Sequence, residues 1–456
     1  MRKTQLLLLT SILLSLMTIT AFANPDPEAS RIAKRDAILR EIKPPAIPTQ
    51  TVSLLSFGAK GDSITDCKPA FDKAMKSAAQ HHGLKIVLPA GVYFINGPIH
   101  LVSNVCIELQ KGARLKFTSD PARYLPMVFT SWEGTLLYNY SPFIYGYQLE
   151  NISITGEGTI DGNASTTFNT WKNKQEKAQT TSRDMNHNAT PLKERIFGAN
   201  HFLRPQLIQL FECKNILIEG VKITNSPFWC VHLLKSENIT VRRVRYDAKN
   251  INNDGIDPEY SRNILIEDVD FDNGDDNVAI KAGRDHEGRA TAMPSENIII
   301  RNCRFKGLHG VVIGSEMSAG VRNVFIEDCT YGGYCKRGIY LKSNPDRGGF
   351  ISDVYVNNVT FDQVEDCFFI TSFYHGEGKG FATDIHDIFV NGLKCREAKN
   401  AGLVVQGFPE KKVRDVYFNN VSIDKAPIGI SFTNTENIVM GNVTIGGEVK
   451  EPSAAK

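Results

Sequence analysis

Four short stretches of the chain share one register. Asp254-Gly255-Ile256, Asp276-Asn277-Val278, His309-Gly310-Val311 and Arg337-Gly338-Ile339 each set a polar residue two places before a β-branched one. If β-strands stack these stretches with Ile256, Val278, Val311 and Ile339 inward, alternation sends Asp254, Asp276, His309 and Arg337 outward along one column. Stacked carboxylates cannot all ionise cheaply, so their pKa values split, and one stays protonated as an acid while another serves as a base. Hydrolysis of a glycosidic bond calls for that division: an acid for the leaving oxygen and a base for water on the opposite face, roughly 6.5–9.5 Å apart for inversion. Clusters of Asn, Asp and Gly such as 252–257 and 274–277 are by themselves ordinary turn chemistry, and the shared register is what raises them to a site. A second outward column sets Lys281 and Lys342, with Tyr340 beside it, next to these acids. Two lysines there make a positive lobe suited to an anionic sugar, each as a point charge rather than a bidentate fork.

The elements that would position this column repeat along the chain. Asn or Asp, then a β-branched residue, any residue and an apolar one recur from Asn151-Ile152-Ser153-Ile154 to Asn437-Ile438-Val439-Met440. From Asn215 onward the spacing, roughly 22 to 34 residues, is that of a solenoid. Six places after most of these anchors stands Val or Cys, and eight places after comes a second apolar column that includes Ile223, Tyr246, Phe271, Phe305, Tyr331 and Phe361. Period-2 alternation with one side always apolar means strands with stacked inner faces. This pattern predicts an all-β, single-stranded, right-handed parallel β-helix, and the leucine spacing of leucine-rich repeats is missing. The anchor Asn residues are turn formers whose amides bond up the stack. Helical periodicity is nearly absent outside 68–79, where a short amphipathic helix caps the N-terminal open end. Two insertions, 163–200 and 372–384, break the period, and long solenoid loops tend to gather on the binding face.

Arg2 and Lys3, an apolar run over 6–17 and Ala21-Phe22-Ala23 before Asn24 together read as a secretory signal peptide, residues 1–23. Residues 24–50, rich in Pro and charge, read as a leader into a catalytic β-helix over 51–450. No later stretch approaches the length of a membrane span. Without Arg2 and Lys3 the chain balances 50 basic against 50 acidic residues, and no basic stripe marks a nucleic-acid binder. Nine scattered cysteines are not a disulfide framework, and Cys303 and Cys329 read as small core hydrophobes.

Asn252-Asn253-Asp254-Gly255-Ile256-Asp257, Gly274-Asp275-Asp276, His309-Gly310 and Lys342 resemble, in order, the four signature motifs of the polygalacturonase family of glycoside hydrolases. Phe57-Gly58-Ala59-Lys60-Gly61-Asp62, Asn225-Ser226-Pro227-Phe228-Trp229 and Gly314-Ser315-Glu316-Met317 support the likeness, which covers nearly the whole mature chain. The resemblance implies a right-handed parallel β-helix that hydrolyses galacturonosyl linkages of pectin with inversion and without metal or cofactor. It implies that Asp275 is the general acid, that Asp254 and Asp276 hold and activate water, and that Asn252 binds near the scissile sugar. His309 would keep the acid's protonation right, and Lys342 would contact a galacturonate carboxylate. The column alone does not say which aspartate is the acid.

Two departures stand out. Tyr340-Leu341-Lys342 replaces the usual Arg-Ile-Lys, and Leu308 precedes the histidine in place of Gly. Arg337 could replace the missing charge, or the subsite could accept a neutral sugar such as rhamnose, as in a rhamnogalacturonan-type hydrolase. Arg204, in Phe202-Leu203-Arg204-Pro205, is a further candidate ligand. A calcium-dependent pectate lyase and an inactive binding module are the competing classes. The expectation is an exo-acting, secreted, monomeric enzyme of a bacterial periplasm, with pectic polysaccharide or oligogalacturonide as substrate.

Overall fold

The computed structural model describes residues 27–376 and 378–451; the signal-peptide segment lies outside them. Short parallel strands wind into a right-handed β-helix. The coil that begins at Ser295 carries Ser295–Arg301, Arg304–Phe305 and Gly307–Ile313. These pair in register with the next coil, Ile298 beside Val324, Phe305 beside Tyr331 and Val311 beside Ile339. The inward column of the opening argument is continuous: Ile256 pairs with Val278, Val278 with Val311 and Val311 with Ile339. All four side chains are fully buried, each contributing about 1.5–3 kcal/mol of apolar burial.

The second apolar column stacks as rings. Tyr246 lies 5.0 Å from Phe271 and nearly parallel to it, Phe305 lies 5.2 Å beyond Phe271, and Tyr331 and Phe361 continue at 4.8 and 4.3 Å. The anchor asparagines form a polar ladder at one corner. Asn215 donates from Nδ2 to Asn151 Oδ1 at 2.9 Å, Asn297 to Asn263 at 2.9 Å and Asn323 to Asn297 at 2.9 Å. Each of these residues has φ near 56–58°, a left-handed turn that Asn tolerates because its short amide bonds locally. The nine cysteines are all free and buried.

The helices are where the structure departs from expectation. Besides α2 (Lys68–Gln80), whose Ala70, Phe71, Ala74, Met75 and Ala78 are buried at the N-terminal end, three more α-helices are present among the described residues. These are α1 (Pro27–Glu41), α3 (Glu176–His187) and α4 (Asp285–Thr291). Helix α1 lies across the outside of the coils, with Ile38 and Ile42 packed on Leu265, Ile299 and Phe325. Arg31 and Arg35 both pair with the buried Glu327. Its grip is ionic, so it shows little hydrophobic period. The buried face of α3 is Ala178, Ser182 and Asn186, spaced as a helix face but too polar to register as one. None of the described helices is long and apolar enough to cross a membrane.

Candidate active site

Asp275 and Asp276 sit on the strand Asn273–Ile280, and simple alternation would turn one of them inward. It does not, because the pairing slips: Asn273 opposes Gly307, yet Asp276 opposes His309, so one extra residue is accommodated between them. Such a bulge re-aims side chains. Both carboxylates therefore reach the same groove as His309, whose own strand neighbour is Arg337.

Each oxygen of Asp276 has a cationic or hydrogen-bonding partner. His309 Nδ1 lies 2.7 Å from Oδ1 and Lys342 Nζ donates to Oδ2 at 3.1 Å. Burial opposes charge on Asp276, but Lys342 and His309 more than offset it and hold the carboxyl well below its usual range. Asp275 moves the other way: burial first, then the charge of Asp276, raises it. Asn252 Nδ2 donates to Asp275 Oδ2 at 3.1 Å, and His309 Nδ1 lies 3.9 Å from Asp275 Oδ1. Asp254 is pushed well up by burial and then by Asp257, Asp275 and Asp276. Its Oδ1 has no hydrogen-bond partner among the described residues. One of the three aspartates is thus held ionised and two are driven toward the neutral acid.

The cations have been assigned differently from the sequence expectation. Lys281 is buried, not a solvent-facing lobe. Its Nζ lies 3.4 Å from Glu316, 3.8 Å from Asp257, 4.0 Å from Asp254 and 4.6 Å over the Trp229 ring. It is a counter-charge for buried acids. Arg204 is fully buried, and each of its nitrogens has a partner: Nε to Gln175 at 3.1 Å, Nη1 to the Ile251 carbonyl at 2.8 Å and Nη2 to Asn252 Oδ1 at 2.7 Å. Burial lowers its pKa to about 10. Arg204 holds the residue that holds Asp275. Tyr340 is also buried, with Lys342 Nζ 5.3 Å and the Arg337 guanidinium 4.6 Å from its ring centroid.

Both insertions reach the site, as does a hairpin that the repeat did not reveal. The hairpin Val128–Trp132 with Thr135–Asn139 brings Glu133 to the pocket. From α3, Gln179 donates to both Glu133 oxygens at 3.0 and 2.9 Å, and Arg183 to one at 3.0 Å. Arg284 joins this wall, donating to Glu316 Oε1 at 2.9 Å. Tyr374 and His375, from the second insertion, line the other side, Tyr374 with Lys342 5.1 Å over its ring. The pocket they line holds about 120 Å³. Arg183, Tyr374 and His375 lie in the two insertions that break the repeat, which marked the face but not the residues; Glu133, at the hairpin turn, carries no signal in the repeat. Asp257 and Glu316 lie within the motif stretches, and only their burial beside Lys281 reveals a part in the site.

Asp275, Asp276 and His309 each bring one atom within 4.8 Å of the others, so the nearest oxygens of the two aspartates are closer than the roughly 6.5–9.5 Å expected of an inverting pair. The three are close enough to share a cation, but the donors do not fit one. Calcium takes six to eight oxygens. Here both oxygens of Asp276 are already paired, with Lys342 and His309, and Lys281 is close behind. That donor set argues against the calcium-dependent lyase.

A parallel β-helix whose groove sets a carboxyl pushed toward the neutral acid beside one held ionised has the parts of an acid/base glycoside hydrolase. Residues 116–444 match the model of glycosyl hydrolases family 28, and residues 51–112 match that of rhamnogalacturonase A/epimerase, pectate lyase-like. The chain belongs to glycosyl hydrolases family 28 and is a glycoside hydrolase. It is 28% identical to a probable polygalacturonase of Vitis vinifera, over 82% of this chain and 74% of the relative. It is 28% identical to an endo-polygalacturonase of Pectobacterium carotovorum subsp. carotovorum, over 84% and 89%. The structure superposes on a hyperthermoactive exopolygalacturonase from Thermotoga maritima with a TM-score of 0.88 at 36% identity, covering 92% of this chain and 96% of that one.

Proposed function

We propose that the protein hydrolyses galacturonosyl linkages of pectic polysaccharide from chain ends, with inversion, outside the cytoplasm. The observation that carries this reading is the unlike pairing of adjacent aspartates in one groove, Asp276 with Lys342 and His309 and Asp275 with the Asn252 amide. Asp275, neutral and positioned by Asn252, gives its proton to the glycosidic oxygen. Asp276, ionised, takes a proton from water on the opposite face, and Asp254 presents its unpartnered Oδ1 to that water. His309, 2.7 Å from Asp276 and 3.9 Å from Asp275, links the two and can return the proton after each turnover.

Pocket charge supports an acidic sugar. Arg183, Lys281, Arg284, Lys342 and Arg347 line the cavity against Glu133, Asp254, Asp275, Asp276 and Glu316. With Asp254 and Asp275 driven toward neutrality, a positive surplus remains for one uronate. Glu316, by contrast, stays ionised: burial opposes its charge, but Lys281 and Arg284 outweigh it.

Glu133, Arg183 and Arg284, which crowd the pocket beside the acids, support exo action, and so does the likeness to the Thermotoga maritima exopolygalacturonase. The leader-like N-terminus supports export to a periplasm, where the enzyme works as a monomer. Chromatography of the first products from polygalacturonate tests the reading: galacturonic acid alone is expected, and a ladder of oligomers would refute exo action. Unsaturated products absorbing in the near ultraviolet would refute hydrolysis. N-terminal sequencing of the periplasmic protein should begin at Asn24.

A further inference from the structure

Outside the residues that line the pocket, the outward column continues to the coil that carries Arg337. Register places Arg337 beside His309, and His309 beside Asp276. At roughly 4.8 Å per coil, Arg337 stands one coil beyond His309 and two coils, roughly 10 Å, beyond Asp276. Its guanidinium lies 4.6 Å over Tyr340 and 4.6 Å over Phe369, so two rings fix its plane. Nε donates to Asp366 Oδ2 at 3.1 Å, and Asn400 Nδ2 donates to the other oxygen of Asp366 at 2.7 Å. Asp366 is 1% exposed while Arg337 is 23% exposed.

No partner is found for Nη1 or Nη2 of Arg337 among the described residues. This sets it apart from the cations nearer the acids. Arg204 has a partner on every nitrogen, Lys342 is bonded to Asp276, and Lys281 sits among three acids. A guanidinium held flat, tethered at Nε and open at its terminal fork is arranged to receive a carboxylate bidentately.

We infer that Arg337, positioned by Asp366, reads the carboxylate of the sugar on the far side of the scissile bond, so that this subsite takes a uronate rather than a neutral sugar. The inference rests on the pectic reading above. Asp366 weakens the attraction for an anion, but it lies buried on the Nε side with its second oxygen tied to Asn400, and in return it fixes the fork. Asp366 is a positioning residue and Arg337 the specificity-determining one. A purely structural ion pair between coils would affect all substrates alike.

The test compares kcat and KM on trigalacturonate with those on the same trisaccharide methyl-esterified at the second residue from the non-reducing end. The wild type should prefer the free acid by roughly tenfold to a hundredfold in kcat/KM. Arg337→Gln should erase that preference by raising KM for the free acid to that for the ester. Arg337→Lys should restore only part, and Asp366→Asn should raise KM for the acid alone, with melting curves run on each variant. Equal wild-type rates on both trisaccharides, or equal losses on both in Arg337→Gln, would overturn the inference. Inactivity of the wild type on both would instead bring down the pectic reading on which it rests.

Discussion

Asp275 and Asp276 are neighbours in the chain, reach the same groove through one bulge, and are driven in opposite directions: burial and Asp276 raise the first, while Lys342 and His309 hold the second down against burial. Two copies of one residue type thereby acquire different chemistry from their partners alone.

Catalysis should need Asp275 protonated and Asp276 ionised. Activity is expected to fall on the acid side as Asp276 gains its proton and on the alkaline side as Asp275 loses its own, giving a bell-shaped profile of kcat/KM. Asp275→Asn should lose about a hundredfold to ten-thousandfold in kcat and lose the alkaline limb with it. A variant that keeps its turnover would remove Asp275 from the role of acid.

Stability should divide along the same line. The folded pKa of Asp276 lies below its unfolded value, so its contribution is present above the ordinary carboxyl range and fades as pH falls through the depressed value. Those of Asp254 and Asp275 lie above, so their contribution is complete below the unfolded value and is lost as pH rises through the raised one. Asp254→Asn should therefore raise the melting temperature at mildly alkaline pH and do little in acid. Asp276→Asn should destabilise at neutral pH by about 3 kcal/mol, because Lys342 is left buried without its partner. Thermal melts across pH check both signs.

Much of this site was legible in the chain. The repeat located the inner columns, the asparagine ladder and the outward column of Asp276, His309 and Arg337, because period-2 alternation and coil stacking turn sequence register directly into adjacency. Asp275 was not legible from alternation, since a bulge is a local slip that the repeat averages away; only the motif resemblance pointed to it. The burial of Lys281 was not legible, because an outward strand position says nothing of what folds over it, and Glu316 and Trp229 fold over this one. Helices α1 and α3 hold on through ion pairs and small polar faces, which leave no apolar period to read.

Arg204 acts on the chemistry at one remove, through Asn252. Arg204→Lys keeps a charge but not the planar set of donors, so Asn252 loses its anchor and Asp275 its own. A fall of roughly tenfold to a hundredfold in kcat with KM little changed is expected, checked by steady-state kinetics beside a melting curve. A rise in KM alone would instead make Arg204 a substrate ligand.

Helix α1 should stabilise without contributing to turnover. Glu327, buried on the outside of the coils, is paired by Arg31 and Arg35. Arg31→Ala should cost about 1–3 kcal/mol in denaturant unfolding and leave kcat/KM unchanged. A kinetic defect without loss of stability would contradict this division.

The central claim is that Asp275 and Asp276 work across opposite faces of one sugar. Proton NMR of the first turnovers on an α-linked oligogalacturonide tests it most directly. Release of galacturonic acid first as the β-anomer, before mutarotation, is the predicted result. Initial appearance of the α-anomer, or of an unsaturated uronate, would contradict it.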